Sequence, residues 1–155
     1  MIDIQNQKDS RNIDIKKVGV KNIKYPIIVL DRVRGTQPVN ATINMYVNLP
    51  HHFKGTHMSR FVEVLNDFRG QINIKTFRTI LEKMRQKLKA ESAHMEIEFP
   101  YFIKKTAPVS KARSMMEYRC LFAGNDDGEQ TDFWVGVIVP VTTLCPCSRE
   151  ISEFG

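Results

Sequence analysis

The sequence predicts an α+β fold, an antiparallel β-sheet with two helices packed on one face. Three observations carry that prediction. Ala41, Ile43, Met45, Val47 and Leu49 fall on alternate positions with Thr42, Asn44 and Asn48 between them, the period of a strand with one buried face. The pattern then switches to helical spacing, first in Met58, Phe61, Val62, Leu65 and Phe68, then in Phe77, Ile80, Leu81, Met84 and Leu88. Alternation returns in three segments after the second helix. The order strand–strand–helix–helix–strand–strand–strand keeps helices apart from strands, so their joint apolar stripe is expected to cover one sheet face.

Taken in order, residues 1–12 are polar and without periodicity, a flexible leader, and residues 13–155 form one domain. A first strand is predicted from Val18 to Val33, with Pro26 at an edge position or a bulge. Residues 34–38 read as a turn, and the period-two strand that follows ends at Pro50. His51 and His52 belong to a surface loop closed by Gly55. Thr56 is the predicted N-cap of the first helix and Gly70 its stop. Asn73 is the predicted cap of the second helix, which runs to about Ala90. A short link makes the two helices antiparallel neighbours. Met95, Ile97 and Phe99 alternate with Glu96 and Glu98 in a third strand limited by Pro100. Residues 104–113 form a basic surface loop, and Met115 to Ala123 a fourth strand. Asn125-Asp126-Asp127-Gly128 is a hairpin signal. The fifth strand, Asp132 to Val141, carries valines on one side and Trp134 and Ile138 on the other, so both its faces are expected to be partly covered.

At 155 residues and 42% hydrophobic, the chain is long enough for one real core. No apolar run reaches the roughly eighteen residues that span a bilayer. The first residues lack a signal-peptide pattern, which places the protein in the cytoplasm. Three cysteines, an odd number, argue against a disulfide framework and leave thiols for metal or chemistry. A net charge of +6 suits either nucleic acid or an acidic small molecule such as a nucleoside triphosphate. Tyr46, Tyr118 and Phe133 sit in apolar alternation and read as core, so no base-stacking platform is expected. Lys83, Arg85, Lys87 and Lys89 read as a solvated helix face, and Lys104, Lys105, Lys111 and Arg113 as a solvated loop, with contact to a triphosphate across a subunit boundary as the alternative.

The densest chemistry lies in Val139-Pro140-Val141-Thr142-Thr143-Leu144-Cys145-Pro146-Cys147-Ser148-Arg149-Glu150-Ile151-Ser152. Pro146 fixes its own φ and biases Cys145 towards extended backbone, which restricts the directions of the two thiols. Ser-Arg-Glu is suited to opening a helix. Spacing alone leaves two readings, thiols presented to a metal or a reaction, or two reduced cysteines tucked under a strand end. Cys120 reads as core beside Tyr118 and Phe122. Near the first helix, Thr56, His57, Ser59 and Arg60 either contact a phosphate at the free N–H groups, or Thr56 caps while His57 and Arg60 stay solvated or meet another subunit. His94 at a strand start reads as ordinary.

Residues 140–152 resemble the signature of the type IB GTP cyclohydrolases, and Gly55-Thr56-His57-Met58-Ser59-Arg60-Phe61 resembles a second motif of that family in the same order. The resemblance implies the tunnelling fold, in which such units join edge to edge into barrels. It implies GTP as substrate, no nucleic-acid or membrane partner, and a homo-oligomer with active sites at subunit interfaces. It makes Cys145 a catalytic metal ligand for zinc, or for manganese or iron, with Cys147 either supporting the metal or packing beside it. His57, Ser59 and Arg60 become supporting or substrate-binding candidates. A metal of this kind brings bound water to a pKa near neutrality; in the family, water opens the guanine ring at C8, formate leaves, and 7,8-dihydroneopterin triphosphate forms on the way to tetrahydrofolate. The family continues beyond the matched region with a Gly-Ala-His segment, an acidic ligand and a guanine-anchoring glutamate. The chain is therefore expected to be the first part of a longer member, a fragment or a natural truncation, without activity alone. The alternatives are a nitrile reductase of the same fold with a cysteine nucleophile and NADPH, a non-catalytic basic binding module, and an inactive truncated paralogue.

Overall fold

The computed structural model describes residues 13–51 and 53–152. The predicted leader at 1–12, His52 and the last three residues lie outside that range. Five strands form one antiparallel sheet in sequence order: β1 Ile15–Asp31, β2 Gly35–Leu49, β3 Ala93–Thr106, β4 Arg113–Asp126 and β5 Thr131–Ile138. Helices α1 Ser59–Asp67 and α2 Ile74–Leu88 are inserted between β2 and β3, and a short α3 spans Pro146–Ile151. The predicted α+β class is present, with α2 laid across β2, β3 and β4. That arrangement is consistent with a tunnelling fold. No helix among the described residues is long and apolar enough to cross a membrane.

β1 is an edge strand, which is where Pro26 is tolerated, paired with Asn40. The register slips between Val20 and Ile23, where Asn22 turns to φ 59°. Gly19 lies so close to β2 that a Cβ there would meet the Met45 carbonyl oxygen at 1.9 Å. The β1–β2 turn falls earlier than predicted, at residues 32–34, because the Asp31 carboxylate accepts hydrogen bonds from the Val33 and Arg34 N–H groups. Thr36, Gln37 and Pro38 therefore belong to β2, and its buried row extends back through Val39 and Gln37.

α1 starts two residues later than the Thr56 cap predicts. Its N-cap is Met58, and no side chain caps it. The shift rotates the inward stripe: Phe61, Val64 and Leu65 are buried, while Met58 and Val62 are about two-fifths exposed (41% and 40%). α1 ends as predicted before Gly70, whose φ of +74° suits glycine. A Cβ there would also meet the Pro26 oxygen at 2.8 Å. The Gly70 carbonyl accepts the Ile28 N–H at 2.7 Å, covering part of the β1 edge. α2 follows the prediction closely. Asn73 accepts from the Lys75 and Thr76 N–H groups, and Thr76 Oγ1 accepts the Asn73 N–H in return, a capping box. Phe77, Ile80, Leu81, Met84 and Leu88 all face the sheet. Lys83 and Lys89 are exposed, as the solvated reading has them, whereas Arg85 and Lys87 are half-buried: Lys83 and Lys87 pair with α1 carboxylates, and Arg85 meets the buried Asp126 at 3.0 Å.

β3 runs through Pro100 without ending. Its ladder with β2 stops at Thr42–Glu98, so the proline nitrogen faces a side that has already lost its backbone partner. From there the sheet forks. The β1–β2 ribbon and the β3–β4 ribbon, the latter paired as far as Thr106–Arg113, part company. The predicted 104–113 loop shrinks to the turn at 107–112. Across the fork, Gln37 bonds both backbone groups of Phe102, and the Tyr101 hydroxyl donates to Asp31 at 3.0 Å. The Asp127–Gln130 turn joins β4 to β5 where the hairpin signal places it. β5 contradicts its prediction. It ends at Ile138, and apart from Phe133, which packs on the core, its apolar side chains lie open; Val137 is 53% and Ile138 61% exposed. β5 is the other edge strand, and the α2 stripe reaches it only through Phe77 against Phe133.

Candidate functional site

Cys145 sits at the start of α3, not at a strand end. Residues 139–145 form no strand, and α3 buries no side chain. The local sequence still does what Pro146 dictates. Cys145 is extended (φ −69°, ψ 130°), Pro146 opens the helix where its missing N–H costs nothing, and Ser148-Arg149-Glu150 continue it. Both Cys145 and Cys147 are exposed, which rules out the reading of thiols tucked beneath the sheet. The Cys145 thiol is held below its ordinary pKa, chiefly by the Ser148 N–H, then by the N–H and side chain of Cys147. A lowered thiol pKa favours the thiolate, the form that ligates metals and attacks electrophiles. Cys120 behaves as core, with burial pushing its thiol pKa up.

The second motif lies elsewhere. The β2 end at Leu49, the β3 start at Ala93 and the β5 start at Thr131 share one end of the sheet. The loop bearing His57 leaves from that end, whereas β5 leaves towards the opposite end on its way to Cys145. Arg60 donates to the Lys87 carbonyl near the C-terminus of α2, at 3.4 Å, where exposed carbonyls and the helix dipole favour a cation. His57 is half-buried and lines a small crevice with Pro50, Phe53 and Arg60. Ser59 is exposed in the first turn of α1. Thr56 caps nothing, so the capping half of the bland reading fails.

Among the described residues no group of three His, Cys, Asp or Glu side chains could hold a metal ion. A thiolate at Cys145 has the chemistry of a soft donor, but among the described residues no set of further donors stands with it.

Two polar arrangements escape the sequence reading. On the helix-free face His94 contacts Glu96 at 3.0 Å and also bonds Asn125, while Asn44 donates to Glu96 at 3.1 Å. The His94 hydrogen bond, then that of Asn44, lowers the Glu96 pKa. The alternation of polar residues opposite the buried row was the available signal. The second is the Asp31–Tyr101–Gln37 staple at the fork. It joins residues 31 and 101, a separation no local pattern reveals.

A family model described as "Type I GTP cyclohydrolase folE2" matches residues 1–155. Curated proteins named GTP cyclohydrolase FolE2 are similar over the whole chain: 72% identical from Syntrophus aciditrophicus (strain SB), 60% from Geobacter metallireducens (strain ATCC 53774 / DSM 7210 / GS-15) and 59% from Syntrophotalea carbinolica (strain DSM 2380 / NBRC 103641 / GraBd1). The chain spans about three-fifths of the length of these relatives, 61%, 59% and 58% respectively.

Proposed function

Because the chain belongs to the type I GTP cyclohydrolase folE2 family, we propose that the whole protein hydrolyses GTP to 7,8-dihydroneopterin triphosphate and formate, the type IB entry reaction of folate biosynthesis. Cys145 carries this reading. Its side chain is exposed, sits at a helix start fixed by Pro146, and is biased towards thiolate by the Ser148 and Cys147 N–H groups. In that form Cys145 is a metal ligand, and Cys147 orients or supports it. A bound divalent ion, with zinc as first choice and manganese or iron as alternatives, supplies Lewis acidity that makes water nucleophilic near neutral pH. The remaining ligands come from outside the described residues, from a neighbouring subunit or from the rest of the family's length.

His57, Ser59 and Arg60 lie towards the end of the sheet that β5 leaves behind. If they serve the same pocket as Cys145, a second subunit must bring them there, which favours a homo-oligomer with active sites at subunit interfaces. The enzyme works in the cytoplasm, without nucleic acid or membrane. The family assignment favours the cyclohydrolase over the nitrile reductase, the binding module and the inactive paralogue. The test is formate release from GTP by the whole protein before and after chelation. Metal-dependent release is expected; turnover untouched by removal of all bound metal would reject the mechanism.

A further inference from the structure

The fork between the two ribbons encloses a cleft of about 290 Å³ lined by Arg32, Arg34, Tyr101 and Lys104 among others. Its walls are fixed. Gln37, only 7% exposed, clamps Phe102, and Tyr101 donates to Asp31. The one carboxylate in the cleft is already engaged: Asp31 accepts from the Val33 and Arg34 N–H groups, Gln37 and Tyr101. Among the described residues Arg32, Arg34 and Lys104 make no ion pair within 4.0 Å, although the Arg34 N–H and, more weakly, the Arg34 charge help to lower the Asp31 pKa.

Charge is also divided between the two ends of the sheet. The fork end carries Arg32, Arg34, Lys104, Lys105, Lys111 and Arg113 against Asp31, whereas at the other end Lys16, Lys17 and Arg85 stand among Glu91, Asp126, Asp127, Glu129 and Asp132. β5 heads towards the fork end as it leads to Cys145. A cleft with Arg32, Arg34 and Lys104 against the single carboxylate of Asp31 keeps an excess of positive charge, which concentrates a compact polyanion, and guanidinium groups bind phosphate oxygens in pairs.

We propose that the cleft at the fork binds the triphosphate of the nucleotide, with Arg32, Arg34 and Lys104 as the contacting cations. The proposal rests on GTP being the substrate, and it reassigns the triphosphate from the α1 start, where Arg60 is committed to α2. Tripolyphosphate is the probe, titrated calorimetrically into the whole protein. Combined Arg34→Gln and Lys104→Gln is expected to weaken binding by about tenfold, while the equally charge-reducing pair Lys16→Gln and Lys21→Gln leaves it nearly unchanged. Lys104→Arg should retain binding. Equal losses in both double variants would show attraction by net charge alone and overturn the site, as would tighter binding of a single-stranded oligonucleotide than of tripolyphosphate. In the whole protein the cleft variants should raise the KM for GTP with little change in kcat; an unchanged KM overturns the proposal. If the whole protein releases no formate from GTP yet the cleft binds tripolyphosphate selectively, the cyclohydrolase reading falls and the polyphosphate site stands.

Discussion

Beneath α2, Ile43, Met45, Met95 and Ile97 are fully covered, and Ile80, Leu81 and Met84 complete the layer from above. At β5, by contrast, Val135, Val137 and Ile138 each keep more than half of their surface in the open, and Cys145 follows on a segment that buries nothing. Both regions are rich in apolar residues, so composition does not distinguish them. Position in the sheet does. β2 and β3 are interior strands with a helix on one face, while β5 is an edge that α2 touches only at Phe133, through Phe77. The first region makes the fold, and the second leaves its apolar side chains and Cys145 exposed.

Two substitutions sharpen that contrast. Phe77→Ala removes a side chain that is 1% exposed and packs on Phe122 and Phe133. It should cost about 3–5 kcal/mol in urea unfolding; a loss no larger than that of Val137→Ala on β5 would erase the distinction. Asn73→Ala removes one half of the α2 capping box and should cost about 1 kcal/mol. An unchanged midpoint would mean that α2 is held by packing alone.

Much of the first region was legible. The five inward residues of α2 repeat at helical spacing, and Asn73 followed by Thr76 is a local signal with a local mechanism. The misreadings came where a distant partner decides the outcome. Pro100 is harmless in β3 only because the ladder to β2 has already ended. Thr56 has the right side chain for a cap, yet the helix begins at Ser59 with Phe61, Val64 and Leu65 turned inward. The alternating apolar residues of β5 promised covered faces, since a strand pattern states what a face needs and not whether this chain supplies it. At the candidate site, the backbone of Cys145 and the helix after it follow from Pro146 and its neighbours. The distance in the fold between Cys145 and the His57 motif does not follow from sequence order; it requires the strand register.

The most direct test replaces Cys145 by Ala in the whole protein and measures bound metal, formate release from GTP and unfolding together. Bound metal should be lost, turnover should fall by about a thousandfold, about 4 kcal/mol in barrier, and metal-free stability should stay within about 0.5 kcal/mol, as for an exposed residue outside the core. A variant that keeps its metal and its turnover would contradict the assignment of Cys145 as the ligand on which the chemistry depends.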